Sequence, residues 1–265
     1  MNWYLVVDPP GDGAWNMAKD EHCLHLSIQL GRPILRIYHW QRLTLSLGRN
    51  QRPERKIDLE ACQNLGINVV RRATGGQAVL HGSDLTYSVS APLKGSGFEG
   101  GIMAVYREIS RALVAFFERL ALVPEVKAHT GRERVELASP VCFATPSAFE
   151  IMIEGRKLVG SAQRLLPDGF LQHGSIPLVP QERLLEQIFL GVEPDSLAGS
   201  MTNLEVLGLG EFTMAQLESL LAQAFLQTFE VGADPLPWSA EDQQAVTDLV
   251  EKYQFPLPEG ELTPP

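Results

Sequence analysis

The spacing of apolar residues near the start of the chain predicts two strands joined by a helix. The segments MNWYLVV (1–7) and RPILRIYHW (32–40) are short apolar runs typical of buried strands. Between them, apolar residues recur at helical spacing as far as a terminating Gly31: Ala14, Met17, Leu24 and Ile28.

Alternation of apolar and polar residues predicts strands in the next part of the chain. One is LTLSLG (43–48) and another is DLTYSVSAPL (84–93). The two sides of the second are expected to be Leu85, Tyr87 and Val89, and Thr86, Ser88 and Ser90. The segment INVVRRATGGQAVLH (67–81) is interpreted as strand, glycine turn and strand, because adjacent glycines supply the positive φ of a tight turn.

The second half of the chain predicts a helix, a meander and further helices. Residues 101–122 carry one apolar stripe: Ile102, Val105, Ile109, Leu113, Phe116, Phe117 and Leu120. The segment 149–178 predicts three strands separated by a Glu-Gly turn and a Pro-Asp-Gly turn. The last third has helical patterns, with capping-box starts predicted at Thr213 with Gln216 and Ser239 with Asp242.

These elements predict a single domain of the α/β or α+β class, with a mixed sheet flanked by helices. Strands are grouped with helices rather than strictly alternating with them, and no repeat or low-complexity linker divides the chain. The domain is expected to cover residues 1–255. Residues 256–265 are rich in proline and predict a flexible tail.

The amino-acid composition limits the kinds of partner that the protein is expected to bind. The 265 residues are 45% hydrophobic and 20% charged, which is typical of a globular protein with a core. The formal net charge of −10 argues against nonspecific nucleic-acid binding, which needs a basic surface. Any basic patch on this protein is therefore expected to be local.

The cysteine pattern and the lengths of the apolar runs indicate the cellular compartment of the protein. Cys23, Cys62 and Cys142 form no CxxC pair, which excludes a disulfide framework and the usual structural zinc spacings. No signal peptide and no run of about 18 apolar residues is present, so a cytoplasmic protein without a membrane span is expected. His22 and His25 lie on either side of Cys23, but such a pair more often marks a helix surface, and no metal is expected.

The glycine turn between 71 and 81 is a candidate binding element. Gly75 and Gly76 alone are most often hairpin geometry, and their spacing matches neither a P-loop nor a Rossmann fingerprint. A turn without side chains also lets a substrate lie against backbone N–H groups. Because Arg71 and Arg72 precede it, one arginine is expected to reach the open side of the turn and to suit an anionic or polar head group.

Cys142 is the candidate nucleophile. Cys23 and Cys62 lie in predicted helices and fit the usual interpretation of buried structural cysteines. Cys142 lies between Pro140 and Pro146 in a non-repetitive segment. Arg156 and Lys157 follow at the next turn, and a nearby cation lowers the pKa of a thiol. A Cys–Lys pair suffices for attack on a thioester, since a thiolate leaves without needing a proton.

His81 and His173 are secondary candidates. Each follows a predicted turn or lies in a predicted strand, where it could line a pocket. Each is about as often a hydrogen-bonded structural residue.

Several motifs together resemble one enzyme superfamily. RRATGGQAVLH followed by DLTYS is similar to the signature of the biotin/lipoate protein ligases, and NMAKDEHCL resembles their first helix. PVCFATPSAFEIMIEGRKLVGSAQ and LQHGSIPL resemble the cysteine-dependent octanoyltransferases of the lipoate–protein ligase A group. The resemblance covers roughly residues 1–205 and implies the mixed sheet of that catalytic domain, related to class II synthetase cores.

The resemblance also implies an activity and a site. Such enzymes move an octanoyl group from acyl carrier protein to a lysine of a lipoyl domain, either the glycine cleavage H protein or a dehydrogenase E2 subunit. The acyl-thioester cysteine corresponds to Cys142, and the lysine that lowers its pKa corresponds to Lys157. Substrate-binding positions correspond to a further set: Arg72, Gly75, Gly76, His81, Gly160 and His173. No ATP and no metal are expected.

Three alternatives remain open on the sequence. An ATP-dependent lipoate–protein ligase shares the arginine-glycine motif, but residues after 205 are too few for its usual accessory domain. A lipoyl-domain amidotransferase also uses a cysteine. A non-catalytic binder of acylated domains would have no need of both Cys142 and Lys157.

An acidic donor poses an electrostatic problem for an acidic enzyme. Acyl carrier proteins are acidic, so a local basic surface near the pocket mouth is predicted. Its candidates are Arg107, Lys127, Arg132 and Arg134.

Overall fold

The computed structural model describes residues 1–98, 100–128, 149–195, 197 and 199–257. The strands and helices follow in chain order: β1 (Trp3–Val7), α1 (Gly13–Leu30), β2 (Ile34–Tyr38), β3 (Thr44–Leu47), α2 (Leu59–Asn64), β4 (Asn68–Arg71), β5 (Val79–His81), β6 (Asp84–Pro92), α3 (Ile102–Arg119), β7 (Glu125–Ala128), β8 (Phe149–Ile153), β9 (Arg156–Lys157), β10 (Gly160–Leu165), β11 (Gly169–Pro177), α4 (Glu182–Ile188), α5 (Met214–Thr228), β12 (Ala233–Pro235) and α6 (Ala240–Tyr253). A short 3-10 turn covers Pro53–Arg55.

The main sheet is mixed, as predicted. Its six strands lie in the order β10-β11-β6-β2-β1-β12. β1 pairs in parallel with β2 and β12, whereas β2, β6, β11 and β10 pair antiparallel. The helix between β1 and β2 ends where expected, with Gly31 in the left-handed region at φ 65°.

The prediction of a tight glycine hairpin is wrong. β4 and β5 do not pair with each other, because β3 lies between them in a three-stranded sheet, parallel to β4 and antiparallel to β5. Of the two adjacent glycines only Gly76 has a positive φ, of 91°. The segment between the strands is therefore a wider connection across β3, and local turn chemistry did not determine the pairing.

The meander from 149 to 178 is confirmed, but it is divided between two sheets. β8 and β9 form a second three-stranded sheet with β7, joined by the predicted Glu154-Gly155 turn. The chain then enters the main sheet at β10, which pairs antiparallel with β11. Lys157 is therefore the last residue of the β7-β8-β9 sheet, and β10, which forms an edge of the main sheet, follows it in the chain.

Helices cover both faces of the main sheet. α3 and α5 pack on one face in the largest apolar cluster, which includes Leu85, Tyr87 and Val89 of β6. α1 and α6 cover the other face, where Ser88 of β6 bonds Asp20 of α1. The predicted alternation of β6 is confirmed, although both of its sides are buried.

The remaining local predictions are mostly confirmed. Both capping boxes, at Thr213 and at Ser239, are present. The stripe of α3 is buried except for Ile102, which is 48% exposed at the start of the helix. Leu257 packs against the apolar cluster around β3, and the rest of the predicted tail, 258–265, lies outside the described residues.

No helix in the described part of the chain combines the length and the apolar character that a membrane span requires.

Candidate active site

A narrow pocket of about 20 Å³ lies between the β4-β3-β5 sheet and the α1-facing side of the main sheet. That volume is enough for about one water molecule. Four predicted substrate-binding residues line it: Arg72, His81, Gly160 and His173. The structure thus brings together residues that lie far apart in the sequence.

His81 is held by a buried carboxylate on one side and a hydroxyl on the other. Its Nδ1 lies 2.7 Å from Asp84 Oδ2, and its Nε2 lies 2.8 Å from Ser46 Oγ. Trp40 stacks on the ring, with 4.0 Å between ring centroids. Burial works to raise the pKa of Asp84, but His81 and hydrogen bonds from Ser175 hold it below its usual value.

His173 has the same kind of environment on the opposite side of the pocket. Its Nδ1 lies 3.0 Å from Asp20 Oδ2, and its Nε2 lies 2.6 Å from Thr74 Oγ1. Burial lowers the pKa of His173 despite the neighbouring Asp20 carboxylate. The imidazole is therefore neutral near pH 7.

Arg72 does not reach the open side of the glycine turn, which corrects the expectation that it would meet an anionic group there. It is 3% exposed, and its guanidinium donates to the carbonyl oxygens of Ser46, Gly75 and Gln77, each at 2.7 Å. Since buried carbonyl groups need donors, Arg72 fixes the loop from inside.

The second arginine is also used by the protein. Arg71 Nη1 donates to the carbonyl oxygens of Gly48 and Gln51, at 3.0 and 2.8 Å. Both arginines of the motif therefore hold backbone in place.

Gly75 and Gly76 are exposed and do not line the pocket. Their loop packs closely on Gly48, where a Cβ atom would lie 2.0 Å from the carbonyl oxygen of Gly76. Any other residue at position 48 would push the loop outward. Sequence reasoning missed this glycine, since the approach involves two segments that pair only in the folded chain.

Lys157 is buried, at 2% exposure, and its ammonium donates to Glu150 Oε1 at 2.9 Å. Its backbone bonds both Ser200 and Thr202, so the residue is fixed from two directions. Glu150, itself 6% exposed, was not predicted. Part of this contact could have been predicted, because the Glu-Gly turn joins the strand that contains Glu150 to the strand that contains Lys157.

Several other predicted residues lie away from this pocket or outside the described chain. Cys142 falls among the residues that the structure does not describe, as do Arg132 and Arg134. Arg107 and Lys127 are exposed on α3 and β7, and Arg107 also pairs with Glu108.

The two described cysteines behave as buried structural residues. Burial raises the pKa of the Cys23 thiol to about 12 and that of Cys62 to about 11. The neighbouring His22 bonds Asp242 at 2.8 Å and so links α1 to α6.

Known proteins share this architecture. Residues 12–226 match the family described as the lipoyl protein ligase A/B catalytic domain. The octanoyltransferase LipM of Carboxydothermus hydrogenoformans is 33% identical over 95% of this chain and 96% of its own, and that of Macrococcus caseolyticus is 33% identical over the same shares. A bipartite lipoate protein ligase from Thermoplasma acidophilum, solved in a study with its E2 lipoyl domain, has the same fold at 21% identity, with a TM-score of 0.76 over 95% of this chain and 93% of that one. The chain therefore belongs to the lipoyl protein ligase A/B catalytic domain family, together with the LipM octanoyltransferases.

Proposed function

We propose that this protein transfers an octanoyl group from acyl carrier protein to a lysine of a lipoyl domain, through a thioester on Cys142. The buried Lys157, fixed 2.9 Å from Glu150, is the observation that carries the proposal. A buried ammonium held in one position can stabilise a thiolate beside it and so lower the pKa of that thiol. The relatives named octanoyltransferases support the same reaction.

The first half-reaction is a thioester exchange. The Cys142 thiolate attacks the octanoyl carbonyl carbon, a C–S bond forms to Cys142, and the C–S bond to the carrier's thiol breaks. The carrier departs as a thiolate, so no acid is required. Lys157 would stabilise the attacking thiolate, while Glu150 keeps the ammonium in place.

The second half-reaction forms the amide. The neutral amine of the acceptor lysine attacks the Cys142 thioester, the C–N bond forms, the C–S bond breaks, and the proton lost by the amine passes to the departing Cys142 thiolate. The octanoyl chain would lie beside Gly160, next to the narrow pocket that has Arg72, His81 and His173 in its walls. Neither ATP nor a metal enters these steps.

The proposal extends to partners and location. The acceptor would be the glycine cleavage H protein or a dehydrogenase E2 subunit, and the donor would be octanoyl-acyl carrier protein. We place the protein in the cytoplasm, which suits the buried Cys23 and Cys62 thiols.

Intact-protein mass spectrometry after incubation with octanoyl-carrier protein tests the proposal. The wild type should gain one octanoyl group that hydroxylamine removes, and Cys142→Ser should gain none. Cys62→Ser is the matched control, because burial raises the pKa of Cys62 and its loss should leave the adduct unchanged.

Two outcomes would point to the alternatives. If no adduct forms and lipoyl transfer requires ATP and free lipoate, the protein is a ligase. If an octanoylated lipoyl domain acylates Cys142 and the carrier protein does not, it is an amidotransferase.

A further inference from the structure

A groove lies beside the backbone of Lys157, between α4 and the segment 199–206. Its volume is about 350 Å³, far larger than that of the narrow pocket and within the roughly 300–1,000 Å³ typical of small-molecule sites. The segment pairs with β9, because Lys157 N donates to the carbonyl oxygen of Ser200 at 3.1 Å and Thr202 N donates to that of Lys157 at 2.9 Å. The groove is therefore fixed next to the lysine that the proposed reaction uses.

Two buried polar atoms at this groove lack partners within the protein. Thr202 is 1% exposed and lines the groove, and its hydroxyl has no hydrogen-bond partner among the residues that the structure describes. Within the same part of the chain, Oε1 of Glu186, on α4, is also without a partner. A buried polar atom left unsatisfied is costly, so each is expected to meet a ligand. Since an ionised carboxylate only accepts hydrogen bonds, the ligand must supply donors.

The charges around the groove are mixed. Arg183 is exposed on α4, whereas Arg156 is half-buried and pairs with Glu154 at 2.9 Å. Glu182 and Asp195 line the groove as well, so among the described lining residues the carboxylates outnumber the arginines. A small, highly charged anion such as inorganic phosphate is therefore disfavoured, and a mostly neutral ligand with one anionic end beside Arg183 fits better.

We propose that this groove holds the phosphopantetheine arm on which acyl carrier protein presents the octanoyl thioester. Amide groups of the arm can donate to Glu186 Oε1 and accept from the Thr202 hydroxyl, and its phosphodiester can accept from Arg183. Thr202 adjoins Lys157 and Arg183 is exposed, so the thioester end lies inward and the phosphodiester lies where a carrier protein can attach. The inference rests on the proposed function, since it assigns a site to the donor of that reaction.

Two small donors that differ only in the phosphodiester test the role of Arg183. The rate of acyl-enzyme formation is measured by intact mass against the concentration of octanoyl-pantetheine and of the methyl ester of octanoyl-phosphopantetheine. For the wild type, the half-saturating concentration should be about tenfold lower for the phosphodiester donor. Arg183→Gln should abolish this difference. Equal half-saturating concentrations in the wild type would overturn the inference while leaving octanoyl transfer intact.

Arg52→Gln is the matched control. Arg52 is also an exposed arginine, but it does not line the groove. The variant should keep the wild-type difference between the two donors. Loss of the difference in Arg52→Gln as well would show that it reflects the overall charge of the protein, which would contradict the assignment to the groove.

Thr202→Val tests the inner end of the groove, because it removes the hydroxyl and keeps the shape of the side chain. The half-saturating concentration of both donors should rise about fivefold, the effect of one lost hydrogen bond. The free energy of unfolding should not fall, since the hydroxyl has no partner in the described protein. Thr202→Ser should restore the wild-type value. An unchanged half-saturating concentration in Thr202→Val would contradict the proposed contact.

The same variants distinguish the donor from the acceptor. The KM for the lipoyl domain should be unaffected by Arg183→Gln and by Thr202→Val. If instead the KM for the lipoyl domain rises and the half-saturating donor concentration does not, the groove binds the acceptor and the inference is wrong.

Calorimetric titration separates the inference from the proposed function. The methyl ester of phosphopantetheine carries no octanoyl group, so its binding requires no transfer. Binding that weakens about tenfold in Arg183→Gln would support the groove even if no octanoyl adduct forms on the protein. Absence of binding to the wild type would overturn the inference, as would equally tight binding of inorganic phosphate, which would indicate a site for anions alone.

Discussion

The two sides of β6 are both buried, yet different interactions hold them. Leu85 and Val89 pack among the aromatic and aliphatic residues of α3 and α5. On the opposite side, Thr86 and Ser88 donate to the buried carboxylates Asp84 and Asp20. Packing energy on the first side is spread over many weak contacts, whereas the second side depends on a few directed bonds to charged groups.

Removing the charge of Asp20 should be the most damaging change on the polar side. Asp20 lies 2.7 Å from Arg36 and also accepts from Tyr38, Ser88 and His173. Asp20→Asn keeps the shape but leaves Arg36 with one carboxylate fewer, so we expect a loss of about 3–5 kcal/mol in the free energy of unfolding. Urea denaturation measures it.

Glu154→Gln is the control for this prediction, because Glu154 is 71% exposed and pairs only across a turn with Arg156. Its unfolding midpoint should stay near the wild-type value. An Asp20→Asn protein as stable as the Glu154→Gln protein would show that the buried carboxylate contributes little.

Leu85→Ala should cost less than Asp20→Asn and should act only on stability. Leu85 is fully buried on the apolar side, and truncating such a leucine costs about 3 kcal/mol through lost transfer energy and a cavity. The rate of acyl-enzyme formation by the folded protein should not change, since Leu85 does not line the pocket. Denaturation and that rate, measured on the same preparation, separate the two effects. A changed rate would mean that the two sides of β6 are coupled.

The smallest effect is a dependence of stability on pH that originates on the polar side. Burial lowers the pKa of His173 from its ordinary 6.5, so the unfolded chain takes up a proton first as the pH falls. The contribution of His173 to the free energy of unfolding should therefore be complete above about pH 6.5 and should decline as the pH drops toward the lowered pKa. Denaturation at pH 7.5 and pH 5.5 measures the decline. His173→Gln should reduce it, and an equal decline in that variant would assign it to other groups.

Elements that depend on local spacing could be predicted from the sequence. The end of α1 at Gly31, both capping boxes and the alternation of β6 follow from neighbouring residues. The pairing of β4 and β5 could not be predicted in this way, because β3 comes between them from an earlier part of the chain. The residue types in a turn indicate where the chain can bend, but they do not determine which strands pair.

In the candidate site, too, some features could be predicted from the sequence and others could not. The motif residues Arg72, His81 and His173 could be identified, and the structure brings them to one pocket. Their partners could not, since His173 meets Asp20 across 153 residues of chain. The direction in which Arg72 points is also a consequence of burial, because only the folded loop presents the carbonyl groups to which it donates.

The position of β1 in the main sheet bears on how the protein is made. β1 lies between β2 and β12, so β1 pairs on one side with a strand that follows it by 230 residues, from Trp3 to Ala233. At a synthesis rate of about 5–20 residues per second, that edge stays open for many seconds. An unpaired edge strand can add to another chain, and α1 meanwhile lacks its cover from α6. β12 and α6 therefore close a gap that a nascent protein would expose to chaperones.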